Sequence, residues 1–282
     1  MPKIRFAKSI GFCSGVRRAI DIAEKTLANN NRRIYSLGAI IHNPQVIERL
    51  KKKGLLTVKS LYQVEDGSTV ILPSHGSPRF IIEAAKKKKL KLIDVKCPYV
   101  SSVHKICKSL HKQNLKVIII GDKAHPEVKA LLDLAPGARI IENINGVKEN
   151  EFSHCKIGVI SQTTQAKDKF FKIVSRLLEK NHDILEVHIF NTICLDTSRR
   201  QEEVKRLAEA VDTVLVIGSR MSANTKRLLH LGRNVNKSTF LVEQDSPALG
   251  RILKGVKTVG IISGASAPDW LVRSIANKIK KQ

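Results

Sequence analysis

At 282 residues the chain can hold one large core or two to three smaller ones, and a hydrophobic content of 42% marks it as globular. Lys and Arg number 50 against 25 Asp and Glu, a net charge of +25 that points to anionic partners: nucleic acid, acidic proteins or phosphorylated substrates. An aromatic content of only 4% argues against nucleic-acid recognition by base stacking, and no apolar run reaches the ~18–20 residues of a membrane span.

The N-terminus "MPKIRFAKSIGF" does not read as a signal peptide, so a cytoplasmic location is expected. Five cysteines, an odd number without a C-x-x-C pair, argue against a disulfide framework or a zinc ribbon. The lysines are dispersed, with runs only at 51–53, 86–91 and the terminal "KIKKQ"; each lies on or after a helix-like segment and reads as a solvated helix face.

In chain order, a strand-like run over 3–10 leads into "GFCSGVRRAI", where Cys13 stands between glycines at a strand-to-helix turn. A helix-like segment follows, then the strand "RIYSLG" (33–38), the loop "AIIHNP", the helix "VIERLKKKG" and a strand ending in the loop "SHGS". The lysine-rich helix "FIIEAAKKKKLK" and the strand "LKLIDV" then reach Cys97. Short apolar runs alternating with helical periodicity predict an α/β fold with small, mainly parallel sheets.

The same succession then repeats twice. Strands ending in glycine recur at "KVIIIG" (116–121) and "TVLVIG" (213–218), and the preceding isolated cysteine stands 25, 24 and 24 residues before Gly38, Gly121 and Gly218. Four residues beyond each glycine come His42, His125 and Ser222. The second polar loop of each block is "PSHGS", "SQTTQ" or "SGASAP", and a helix and strand lead onward to Cys97 or Cys194. The last block lacks a final strand, which the N-terminal strand can supply. Three units are therefore expected: 14–96, 97–193, and 194–282 completed by 1–13.

Ligands of open parallel α/β sheets bind beyond the carboxyl ends of the strands. Pseudo-threefold symmetry would gather Cys13, Cys97 and Cys194 there, encircled by polar loops; Cys107 and Cys155 fall outside the pattern and read as structural. Three thiolates suit zinc with a fourth ligand, or an iron–sulfur cluster with one iron left open. Imidazoles, hydroxyls, amides and backbone N–H groups at helix starts form an anion-binding inventory that favours the cluster. Among them stands one carboxylate, Glu127, a candidate proton donor.

The segments "GFCSGVRRAI", "LGAIIHNPQVIERLKKKG", "SHG", "DVKCPYVSSVHK", "GDKAHPEV", "SQTTQ", "ICLDTSRRQEEV", "GSRMSANTKRL" and "SGASAPDWLV", in this order, resemble the 4-hydroxy-3-methylbut-2-enyl diphosphate reductase (LytB) family over nearly the whole chain. The resemblance implies a trefoil of three α/β units around a 4Fe-4S cluster held by Cys13, Cys97 and Cys194. It places the substrate diphosphate against His42, His75, Ser222, Asn224 and Ser266, with His125 as a further active-site histidine. Glu127 would deliver protons and Thr163 would contact the substrate hydroxyl.

The reaction implied is the last step of the non-mevalonate isoprenoid route, giving isopentenyl and dimethylallyl diphosphates. An acidic ferredoxin or flavodoxin would supply the electrons, a use for the positive field. The chain departs from the family's pattern at Pro73, Lys96, Asp196, Arg199 and Ala223. A lysine beside a cluster ligand would raise the reduction potential, and the hydroxyl missing at Ala223 would cost roughly 1–3 kcal/mol if its partner were left unpaired. Two other readings compete: a degenerate homologue with a metal-bound sensing or binding role, and a basic nucleic-acid-binding protein.

Overall fold

The computed structural model describes residues 1–29, 32–244 and 248–281, so Gln282, the end of the basic C-terminal run, lies outside the described residues. In chain order the elements are β1 (Lys3–Phe6), α1 (Ser14–Ala28), β2 (Ile34–Leu37), α2 (Pro44–Lys52), β3 (Leu55–Val58), β4 (Thr69–Leu72), α3 (Arg79–Lys87) and β5 (Lys91–Asp94). Next come α4 (Pro98–Lys112), β6 (Lys116–Ile120), α5 (Pro126–Leu134), β7 (Arg139–Ile141), β8 (Lys156–Ser161), α6 (Lys167–Glu179) and β9 (Glu186–Ile189). The last third holds α7 (Leu195–Glu209), β10 (Thr213–Ile217), α8 (Ala223–Val235), β11 (Thr239–Val242), α9 (Ala248–Leu253), β12 (Thr258–Ser263) and α10 (Asp269–Ile279). No described helix is long and apolar enough to cross a membrane.

The strands form three parallel four-stranded sheets with one common order: β5-β4-β2-β3, β9-β8-β6-β7 and β1-β12-β10-β11. β1 takes in the last sheet the place that β5 and β9 hold in the others, pairing Lys3 through Phe6 with Thr258 through Ile261. Each sheet has one strand more than the sequence reading supplied. The missed strands β3, β7 and β11 are outer strands of three or four residues bonded along one edge only, and unlike β1, β5 and β9 they do not lead into a cysteine of the repeat.

The chain divides into two compact units: Met1–Arg17 with Ile41–Leu50 and Leu195–Gln282, and Arg18–Ile40 with Lys51–Cys194. In the first, Leu215, Ile217, Val259 and Ile261 pack against α9 and α10 through Leu249, Leu271 and Ile275. Val214, Val216 and Ile262, on the opposite face, pack against α7 and α8 through Val204, Leu207 and Leu228. The second unit repeats this around β6 and β8: Ile118, Ile120 and Val159 meet Phe170 and Ile173 of α6, while Val117, Ile119 and Ile160 meet α4 and α5. Covering both faces explains why these strands read as unbroken Val/Ile runs; each buried side chain of this size contributes about 1.5–3 kcal/mol.

Part of the 86–91 lysine run is structural and not merely solvated. Lys86 and Lys87 occupy the last turn of α3, where cations offset the helix dipole, and Lys88 Nζ donates to the carbonyls of Leu61 (3.2 Å) and Val64 (2.7 Å).

Candidate active site

One hydrogen-bond scheme recurs at the carboxyl end of each sheet. The strand-ending glycines Gly38, Gly121 and Gly218 donate to the last residue of the neighbouring outer strand: Val58 (2.8 Å), Ile141 (3.2 Å) and Val242 (3.0 Å). Two residues past β4, β8 and β12, the carbonyls of Ser74, Thr163 and Ala265 accept the backbone N–H groups of Cys97 (2.9 Å), Cys194 (2.9 Å) and Cys13 (3.1 Å). Every cysteine of the repeat is thus pinned to the second polar loop of a sheet. Each is partly exposed at a helix start, before Ser14, Pro98 or Leu195, and the Cys13 Sγ accepts the N–H of Val16 at 3.4 Å.

The first departure from symmetry lies at Pro73. Gln162 and Gly264, the residues just past β8 and β12, donate to Ile120 (2.9 Å) and Ile217 (2.8 Å). Pro73 has no N–H to give, and the β2–β4 pairing stops at Ser36 and Ile71. Ser74 compensates, its N and Oγ both donating to the Ile40 carbonyl at 3.1 and 2.9 Å.

In the second unit, Glu127 sits in the first turn of α5 with only 2% of its surface exposed. Its Oε1 accepts the Thr163 N–H (2.7 Å) and its Oε2 the Thr163 hydroxyl (2.8 Å). Burial pushes the carboxyl up to about 7, while the two Thr163 donors pull the other way by favouring the charged form. His125 caps the same helix, its Nδ1 accepting the Glu127 N–H at 3.2 Å, which leaves the proton of the neutral ring on Nε2. The His75 ring meets His125 edge to face, with centroids 6.5 Å apart. Glu127, Thr163, His125 and His75 therefore form one contiguous group.

In the first unit, His42, Ser222, Asn224 and Ser266 stand at the ends of β10 and β12 and at the start of α2. Ser222 caps α8, accepting the Thr225 N–H at 3.3 Å, the role that His125 plays for α5. His42 does not cap. Asn43, one residue later, accepts from Gln45 (3.1 Å) and Val46 (3.2 Å) and donates to the Ser266 carbonyl (2.9 Å). The His42 imidazole is held below its usual range by burial and then by the Lys226 cation. The Ser266 hydroxyl donates to the His42 carbonyl at 3.4 Å.

Asn224 is buried with neither amide atom hydrogen-bonded, an unmet donor and acceptor of the kind a polar ligand satisfies. Thr225 beside it fills the space left by two glycines. A Cβ at Gly264 would stand 2.1 Å from Thr225 Oγ1, and one at Gly218 2.7 Å. Gly264→Ala is therefore expected to cost roughly 1–3 kcal/mol, seen as a lower denaturant midpoint with unchanged slope.

Several contributors were not legible in the sequence. Arg200 and Glu203 of α7 bind the loop before Cys13. His104 of α4 packs into the space left by Gly76, where a Cβ would come within 2.9 Å of its ring. Burial, with the Lys96 cation beside it, pushes His104 down to about 4. The one signal that could have pointed to Arg200 is its i,i+4 spacing from Asp196, with which it pairs.

The pattern of the family described as LytB protein matches residues 4–280. The chain belongs to the LytB family. The 4-hydroxy-3-methylbut-2-enyl diphosphate reductase of Aquifex aeolicus is 38% identical over 285 residues, covering 100% of this chain and 97% of that protein. The reductase of the same name from Helicobacter pylori is 36% identical, covering 98% of each. Among solved structures, the Plasmodium falciparum E-1-hydroxy-2-methyl-but-2-enyl-4-diphosphate reductase superposes with a TM-score of 0.92 at 33% identity, covering 99% of this chain and 88% of that one. A (E)-4-hydroxy-3-methyl-but-2-enyl diphosphate reductase described as the terminal enzyme of the non-mevalonate pathway gives 0.72 at 38% identity, with full coverage of both chains.

Among the described residues, no group of three or more His, Cys, Asp or Glu side chains is placed to hold a metal ion. Thiolates are nevertheless the side chains that iron–sulfur clusters take as ligands, and the chemistry of Cys13, Cys97 and Cys194 fits that role. Each of the three is partly exposed at a helix start, bonded through its backbone N–H to a strand-end loop, and not engaged in a disulfide.

Proposed function

We propose that this chain reduces (E)-4-hydroxy-3-methylbut-2-enyl diphosphate to isopentenyl and dimethylallyl diphosphates, with a 4Fe-4S cluster held by Cys13, Cys97 and Cys194. The observation that carries this reading is the buried Glu127–Thr163 pair, an acid poised near neutrality in a family of diphosphate reductases. A cluster held by these three thiolates would supply electron transfer and Lewis acidity.

The remaining work falls to the chain. Replacing the allylic hydroxyl by hydrogen consumes two electrons and two protons and releases one water. One proton leaves with the hydroxyl and the other ends on carbon. Glu127, protonated at and below about pH 7, is the donor, and the Thr163 hydroxyl fixes the carboxyl's orientation and meets the substrate oxygen. His42, His75, Ser222, Asn224 and Ser266 bind the diphosphate, and His125 presents an Nε2–H beside Glu127. Imidazole N–H groups, hydroxyls and an unpaired amide suit phosphate oxygens.

The three repeats 14–96, 97–193 and 194–282 with 1–13 are the units of this design, a reading supported by the common strand order and the shared cysteine bonding. An acidic one-electron carrier such as a ferredoxin or flavodoxin suits the net charge of +25, and the reaction is placed in the cytoplasm.

Thr163→Val tests the acid assignment. It removes the donor to Glu127 Oε2, so the carboxyl moves further up. The alkaline decline of kcat/KM is expected at higher pH than in the wild type, with a lower plateau. An unmoved alkaline limb contradicts the assignment of Glu127 as the acid.

A further inference from the structure

The loop before Cys13 is held by a helix that the proposed chemistry does not use. Arg200, on the second turn of α7, is 2% exposed, and all its bonds go to the protein. Nε donates to Asp196 (2.8 Å), Nη1 to the carbonyls of Ser9 (3.0 Å) and Ser263 (2.8 Å), and Nη2 to the carbonyl of Gly11 (3.0 Å). Glu203, one turn on, accepts the Ser9 N–H (2.8 Å) and hydroxyl (3.0 Å). Gly11 donates to Ser263 Oγ at 2.8 Å, and Cys13 to the Ala265 carbonyl at 3.1 Å.

Both backbone groups of Ser9, both of Gly11 and the N–H of Cys13 are therefore fixed, three of the five by two charged side chains of α7. Gly11 has φ +77°, and a Cβ there would stand 1.9 Å from Asp269 Oδ1, so the segment has little room to settle elsewhere. A guanidinium presents its donors in one rigid plane, and a lysine cannot reproduce bonds to Asp196, Ser263, Ser9 and Gly11 together.

We propose that Arg200 and Glu203 are positioning residues for Cys13: they preset the 9–13 segment so that its thiol is in place before the cluster is assembled. The proposal rests on the reading of Cys13 as a ligand, and it is tested on the full-length chain with Arg200→Lys and Glu203→Gln. Glu203 is partly exposed, so its variant keeps the test open if Arg200→Lys does not fold.

Amide hydrogen exchange of the metal-free protein is expected to rise roughly tenfold in the 9–13 segment, the effect of losing a bond to a charged partner, with α10 and β10 unchanged. After reconstitution with ferrous iron and sulfide, iron retained against a chelator is expected to fall several-fold, with the melting temperature little altered in Glu203→Gln. Wild-type exchange over 9–13 in Glu203→Gln overturns the proposal, and so does a rise spread evenly over 195–281, the mark of a merely structural role. Should the wild type itself retain no iron, the ligand reading fails, and the exchange measurement still decides whether α7 positions the segment.

Discussion

Replacing Cys13, Cys97 or Cys194 by alanine is expected to abolish both cluster retention and turnover, whereas Cys107→Ala and Cys155→Ala keep both. The contrast follows from position. The first three stand partly exposed at helix starts, tied by their backbone N–H groups to the loops past β12, β4 and β8. Cys107 is fully buried on the inner face of α4 among Val103, Leu110 and Leu131, and burial alone pushes its thiol up to about 12. A thiol so protonated is a core residue and not a ligand, and removing its sulfur costs stability only. Cys155 lies just before β8, its sulfur 3.2 Å from the Ser153 carbonyl. Iron and sulfide analysis of the five variants, with absorption spectra, reads this out; a cluster retained in Cys97→Ala would remove that residue from the ligand set.

Glu127→Gln is expected to keep the fold and the cluster and to lose turnover by about 10²–10⁴-fold, the usual share of a positioned acid. Glutamine is nearly isosteric, and its carbonyl oxygen can still accept one of the two Thr163 donors, so the defect is chemical. The same variant changes stability against pH. Because the carboxyl is raised from 4.5 to about 7 in the folded chain, the folded state holds a proton that the unfolded state has already released. The sign is therefore unfavourable to folding as pH rises: the full contribution is present below 4.5 and is lost as pH climbs through about 7. The total loss is on the order of 3 kcal/mol, and Glu127→Gln removes that slope. Denaturation at pH 5 and pH 8 compares the two proteins. Equal pH dependence would show that Glu127 titrates as an ordinary surface acid.

The fold was legible where the sequence repeats itself. The intervals between cysteine and glycine located three strands that the structure places centrally, β2, β6 and β10, and the missing final strand pointed to β1. The outer strands β3, β7 and β11 were not legible, because none of them leads into a cysteine of the repeat or ends in its glycine. Candidate site residues stood out in the sequence where chemistry and repetition coincide: His125 and Ser222 both cap the helix after their strand, and the Glu127 carboxylate is buried against Thr163. Contacts made to the backbone were not legible. Arg200 binds three carbonyls that no side-chain pattern discloses, and Asn43 takes the capping role that strict symmetry would give to His42. Pro73 was visible as a departure, but only the sheet shows its effect, one lost strand bond made good by Ser74.

The most direct test is anaerobic purification and reconstitution, followed by Mössbauer spectroscopy and an assay of (E)-4-hydroxy-3-methylbut-2-enyl diphosphate reduction with a chemical electron donor. The expected result is a brown protein with a 4Fe-4S spectrum, one iron of which changes when substrate is added, together with formation of both isoprenoid diphosphates. A colourless, zinc-loaded protein with no turnover after reconstitution would contradict the account.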